Sequence, residues 1–289
     1  MKIKKSFVLT AALPSAATDL DTFENAACIL KRKGIDTIEF FCDFSLAEEY
    51  GKVLQRNSID GIFLAATHQK KNGLSLCATS PTLRQIAVSE TKKCLDAAKK
   101  AGARAVLLTS GLYFGPDTEL TSWNNLKQSI EELHEFMPDV LLTLEPGDRS
   151  VDSKQLAGPT DATVAWLESF PGKQSFLQLT MDTSHIAQLG EDVRSAIDKT
   201  KKYCNHIHIA NCILKENHPL YGDKHPLFSD KDAYYSIDDL KDITSGFISP
   251  EKDITVSIEI INRSEDEWEM FERILEEESW FFSINQKYA

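Results

Sequence analysis

The 289-residue chain has no CxxC pair, no apolar run long enough to cross a bilayer and no excess of positive charge. Each absence removes a class of protein. Its six cysteines (Cys28, Cys42, Cys77, Cys94, Cys204 and Cys212) follow no framework spacing. That argues against a disulfide scaffold or a cysteine metal site and for reduced thiols in a cytoplasmic protein. Without a long apolar segment, no membrane partner is expected. Lys and Arg number 32 against 44 Asp and Glu, a formal charge of −12. Such a surface is poorly suited to neutralising a phosphate backbone, so nucleic acid is not an expected partner. A small anion held by a few local bases is still compatible with that charge. Neither a GxxxxGK loop nor a GxSxG elbow occurs, and Ser110-Gly111 has no evident base beside it, so nucleophilic catalysis has little support.

No linker-like break, low-complexity stretch or internal repeat divides the chain, so residues 1–289 are expected to form one domain. The start, Met1 to Lys5 followed by Ser6 to Leu13, has the outline of a secretory leader. Its apolar part is short and broken by Thr10 and Pro14, and Phe7-Val8-Leu9 is needed as a first strand.

Short β-branched and apolar runs then alternate with helical periodicities. Strands are expected at Ile35–Cys42, Ile59–Ala66, Arg104–Thr109, Asp139–Glu145, Phe176–Asp182, Tyr203–Ile209 and Ile254–Ile260. Between them, Leu20, Phe23, Ala27 and Leu30 mark one helix closed by Gly34, and Pro81 to Lys100 marks another closed by Gly102. Further helices are expected near Trp123–Phe136, Asp161–Phe170, Asp192–Lys202, Ile237–Ile243 and Glu265–Ser279. Eight strand–helix units in under 300 residues favour a closed (β/α)8 TIM barrel over an open sheet.

Four of these strands end on Glu145, Asp182, His208 and Glu259. Burial alone would not place three carboxylates and an imidazole at successive strand ends. In a barrel the ends converge on one face, where they would form a cage for a divalent cation, Mn²⁺, Mg²⁺ or Co²⁺ for preference and Zn²⁺ as an alternative. Three carboxylates gathered without a cation would repel one another. His185 and the Asp223-Lys224-His225 loop form a further layer, able to contact substrate hydroxyls or to hold a second metal. His68, Glu39, Arg149 and Arg263 fall where they could line the same pocket, the arginines as holders of a phosphate or a sugar hydroxyl. His206 lies on the same barrel side as His208 but one step lower, which leaves His208 as the ligand, while His134 and His218 read as solvated.

The ordered endings Leu144-Glu145-Pro146, Asp182-Thr183-Ser184-His185, His206-Ile207-His208, Asp223-Lys224-His225 and Ile258-Glu259 resemble the xylose isomerase-like barrel superfamily. That group includes sugar phosphate isomerases and epimerases and the apurinic-site endonucleases. The resemblance is clear over strands five to eight; earlier, only Thr37-Ile38-Glu39-Phe40 and Ala101-Gly102-Ala103 echo it. It implies a metal on Glu145, Asp182, His208 and Glu259, with Glu145 and Glu259 doubling as the acid/base pair and His185 touching substrate oxygen. It implies isomerisation or epimerisation of a small sugar, keto-sugar or sugar phosphate through a metal-stabilised enediolate, in a barrel that commonly self-associates. In the endonucleases, His185, Asp223 and His225 would match ligands of a further metal, and His68 a ligand of another. The chain departs from that pattern with Thr109-Ser110 where a strand-four histidine is wanted, and with Pro226-Leu227-Phe228 after the Asp-x-His. A sugar-acid dehydratase or lyase, an abasic-site phosphodiesterase and a non-catalytic sugar-binding barrel are the competing readings.

Overall fold

Eight parallel strands close on themselves in sequence order: β1 Ile3–Val8, β2 Thr37–Phe40, β3 Asp60–Leu64, β4 Ala105–Thr109, β5 Leu141–Glu145, β6 Leu177–Asp182, β7 Cys204–Ile209 and β8 Ile254–Ile258. Helices fill the connections, and the fold is a (β/α)8 TIM barrel. The computed structural model describes residues 3–170, 172, 175–248 and 253–283.

Alternation along each strand divides the side chains between two environments. Phe7, Ile38, Phe63, Leu108, Leu144, Ile207 and Val256 face outward into the large core shared with the helices. Each large apolar side chain removed from water there contributes roughly 1.5–3 kcal/mol. The inward set differs from one side of the barrel to the other. Val8, Ile62, Leu64 and Leu107 form a small apolar cluster on β1, β3 and β4. Toward β5 to β8 the interior turns polar, with Thr143, Thr180, His206, His208 and Ser257 all buried.

β1 begins earlier than expected, at Ile3, and the other seven strands are shorter than expected. Leu9 opens the helix Leu9–Ala12 and Ala65 the helix Ala65–Lys71, so neither β1 nor β3 runs as far as its composition suggested. β8 stops at Ile258, which leaves Glu259 one residue beyond it, with its N–H donating to the Ile209 carbonyl at 3.1 Å. Pro81–Lys100 is a helix as expected, and Gly34 and Gly102 have φ of +80° and +64°. The helix expected from Trp123 begins at Pro116, a residue suited to a first turn. The helix Ala47–Asn57 was not anticipated, although Tyr50, Val53 and Leu54 are buried along one side of it. His134, expected in solvent, stacks on Phe176 with ring centroids 3.8 Å apart.

Glu278, between the helices Glu267–Glu277 and Ser279–Phe282, fastens them to the loop that follows β7. It is fully buried, accepting the Phe228 N–H at 3.2 Å and the Trp280 indole N–H at 3.0 Å. Burial pushes its carboxyl from 4.5 up to about 7, against those two hydrogen bonds. Between these values the unfolded chain ionises first, so stability should fall as pH rises from 4.5 to 7 and level off above. The whole effect is on the order of 3 kcal/mol. In Glu278→Gln this slope should vanish, as read from urea midpoints at pH 5 and pH 8. An unchanged slope would mean that Glu278 is not the group responsible.

Candidate active site

Register brings the four strand-end residues together. Thr109 pairs with Glu145, Asp182 pairs with His208, and Glu259 follows β8 beside Ile209. One ligand atom from each of Glu145, Asp182, His208 and Glu259 lies within 4.8 Å of the other three. His208 Nδ1 is 2.9 Å from Glu145 Oε1, 2.7 Å from Glu259 Oε2 and 3.9 Å from Asp182 Oδ2. All four atoms are buried, and none has hydrogen-bond geometry to any described residue. Two ligands each ~2.0–2.2 Å from one ion would themselves be about 3–4 Å apart, so the arrangement fits a divalent cation.

Asp182 divides its carboxylate between two tasks. Oδ1 caps the helix Thr183–Gln188, accepting from Ser184 N–H at 2.6 Å and His185 N–H at 3.2 Å, which leaves Oδ2 for the cage. Burial raises its carboxyl pKa, with neighbouring Glu259 and Glu145 adding to the effect against His225 and His185. Burial works against the charged form of His208, but Glu39 and Glu259 outweigh it and hold its pKa well above the usual imidazole value. Glu259 moves the other way. Despite burial, His225 and His208 keep it ionised well below the usual carboxylate range.

A second group adjoins the first, with atoms of Asp182, His185 and His225 also within 4.8 Å of one another. Both His185 ring nitrogens and His225 Nδ1 are buried without a hydrogen-bond partner among the described residues. Asp223 Oδ1 approaches His225 Nε2 at 2.6 Å and His185 Nε2 at 3.9 Å. His225 holds this position with φ of +40°, a conformation strained for a side-chain-bearing residue.

A cavity of about 320 Å³ adjoins the second group at Asp223, with Gln69, Lys70, Thr109, Gln155 and Lys224 among its other lining residues; Glu145, Asp182, His208 and Glu259 do not line it. Its rim is tied across by two ion pairs, Lys70 to Asp223 at 3.4 Å and Lys224 to Asp152 at 2.5 Å. Gly111 admits the opposite wall: with φ of +96°, a Cβ there would collide with Ser75. Lys70, Asp152 and Gln155 escaped the sequence reading because they sit in a helix and a loop and have the composition of ordinary surface residues.

Three expected pocket residues lie elsewhere. His68 is carried outward by its helix, where it packs against Phe41 and Phe44 and reaches Glu90 at 3.3 Å. Arg149 stacks 3.8 Å over the Tyr113 ring, pairs with Glu119 at 3.3 Å and donates to the Leu156 carbonyl at 2.7 Å. Arg263 donates to the Lys224 and Ile261 carbonyls, bracing the Asp223–His225 loop from outside. None of the three lines the cavity. Glu39, expected to touch substrate, is fully buried with its carboxylate shared between His206 and His208 at 2.8 and 2.9 Å. A strand-end position fixes which end of the barrel a residue occupies, but not where a long side chain finds its partner.

The xylose isomerase-like TIM barrel family model matches residues 28–276. The chain belongs to that family. Among solved structures, a D-tagatose 3-epimerase-like protein superposes with a TM-score of 0.70 at 15% identity, over 100% of both chains. An L-ribulose 3-epimerase gives 0.71 at 14% identity, over 100% of this chain and 97% of that one. A family 2 AP endonuclease from Brucella melitensis gives 0.65 at 14% identity, over 92% and 95%. At these identities the likeness is one of fold. No curated protein sequence matches the chain. Among the described residues, no helix is long and apolar enough to cross a membrane.

Proposed function

We propose that this family member is a divalent-metal-dependent epimerase or isomerase of a small, uncharged polyhydroxy ketone or aldehyde. The observation that carries the reading is the set of four buried ligand atoms gathered within 4.8 Å of one another without hydrogen-bond partners among the described residues. Glu145, Asp182, His208 through Nδ1, and Glu259 would hold the cation. When bound, it would supply the positive charge that acidifies the carbon between a carbonyl and its neighbouring hydroxyl.

The remaining work falls to side chains. Glu259, at the mouth end of β8 and beside His208, would accept the proton from that carbon. Glu145, on the other side of His208, would return a proton, to the opposite face in epimerisation or to the neighbouring carbon in isomerisation. His185, with two unpartnered ring nitrogens, would steady a substrate oxygen. The rim speaks for an uncharged substrate, because Lys70 and Lys224 already face Asp223 and Asp152.

One observation favours a second reading. The Asp182, His185 and His225 group could hold another cation, as an abasic-site phosphodiesterase would require. Against it stand the net charge of −12 and His68 turned toward Glu90.

Metal analysis of the purified protein, followed by a substrate screen in D₂O, separates the two. About one Mn, Co, Mg or Zn per chain, with deuterium entering free ketoses faster than their phosphates, is the expected result. Two or three zinc ions with cleavage of abasic DNA would move the second reading forward. No metal after reconstitution would sink both.

A further inference from the structure

We propose that Glu39, which no substrate can reach, is a positioning residue that presents His208 to the cation through Nδ1. The inference rests on the metal reading above and adds to it the means by which the one imidazole ligand is oriented.

Glu39 lies on β2, inside the barrel and across from β7, and is 0% exposed. Its Oε2 accepts from His208 Nε2 at 2.9 Å. Its Oε1 accepts from His206 Nε2 at 2.8 Å, from Ser6 Oγ at 2.9 Å and from Ser257 Oγ. An ionised carboxylate offers only lone pairs, so the His208 nitrogen that meets it must carry the hydrogen. A neutral imidazole has one N–H, and the other nitrogen, Nδ1, is therefore left with a free lone pair. That nitrogen is the one within 2.7 and 2.9 Å of the Glu259 and Glu145 oxygens. Glu39 thus selects the tautomer that can bind metal.

The carboxylate is itself held in place. His206 is fixed at its other nitrogen by Thr180 Oγ1 at 3.0 Å, and Thr180 by Thr143 Oγ1 at 2.6 Å. This chain of contacts runs through the polar half of the barrel interior and ends at the cage. Among the described residues, no lysine or arginine makes an ion pair with Glu39. Its charge is directed at the two imidazoles, which strengthens His208 as an electron-pair donor. Such partners behind a metal-binding histidine typically change metal affinity by about 10–100-fold.

A filler of the barrel interior would have the same burial but no effect on tautomer, so the test reads both affinity and tautomer. Mn²⁺ affinity is measured by titration calorimetry for the full-length wild type and Glu39→Gln. The variant should bind about 10–100-fold more weakly, with a metal-free melting temperature near that of wild type. Equal affinity would overturn the proposal. If the variant fails to fold, ¹⁵N-histidine spectra of the Zn²⁺-loaded wild type decide. A His208 signal protonated at Nε2 and metal-shifted at Nδ1 is expected, and metal on Nε2 would overturn the proposal. Wild type that binds neither ion sinks the inference together with the cage. Wild type that behaves as expected here but exchanges no sugar proton supports the inference and counts against the proposed function alone.

Discussion

Glu145→Gln and Glu259→Gln should each slow proton exchange beside the substrate carbonyl by about 10²–10⁴-fold, the usual contribution of a positioned acid or base. The amide keeps the size of each side chain and one ligand oxygen but can neither accept nor deliver the proton. The readout is deuterium incorporation from D₂O into a turned-over ketose, with metal content measured on the same samples. Either variant that keeps about one metal per chain and loses exchange has lost the chemistry and not the cage. For Glu259→Gln a second effect is expected. Its carboxylate is paired with both His208 and His225, so removing the charge should also weaken metal retention. Exchange at the wild-type rate in either variant would remove that residue from the acid/base pair.

Stripping the metal should produce the second large effect. Three carboxylates and one imidazole share a site from which water is largely excluded, a costly arrangement unless a cation or protons balance it. Free Mn²⁺ at 100 times its dissociation constant would stabilise the folded protein by about 2.7 kcal/mol. For a chain of this size that is a rise in melting temperature of about 4–5 °C. The shift should disappear in Asp182→Asn and in His208→Ala. It should also depend on pH. The His208 pKa is raised in the metal-free fold, so its favourable pairing with the carboxylates is complete below 6.5 and is lost as pH rises through the raised value. The cation then no longer competes with a proton. The metal-induced shift measured by calorimetry should therefore widen from pH 6 to pH 8. A shift that stays constant over this range would mean that no proton leaves the cage when metal enters.

Particular residues show which features of the site are written in the amino-acid order. Strand ends were legible because a buried strand that stops on a charged residue breaks the pattern expected of a core. Glu145, Asp182, His208 and Glu259 each made that break, and the closed parallel topology brought all four ends to one place. Glu39 broke the same pattern from inside β2. A sequence cannot say whether such an acid faces a ligand or another side chain, and only the distances to His206 and His208 answered that. The Asp-x-His at Asp223 to His225 was visible as a motif. Its place beside Asp182 depends on the loop path and on a positive φ at His225.

The amino-acid order by itself determined the (β/α)8 architecture, because eight strand and helix periodicities in alternation have few other ways to bury their apolar faces. It also determined which four residues meet at the mouth, since strand polarity in a parallel barrel sends every C-terminal end to the same face. Tertiary structure alone decided the rest: which nitrogen of His208 is aimed inward, that Lys70 and Lys224 are already paired, and that His68, Arg149 and Arg263 point elsewhere. Those outcomes follow from contacts between segments far apart in the chain, where a long side chain turns toward whichever charge, ring or carbonyl the fold happens to bring within reach.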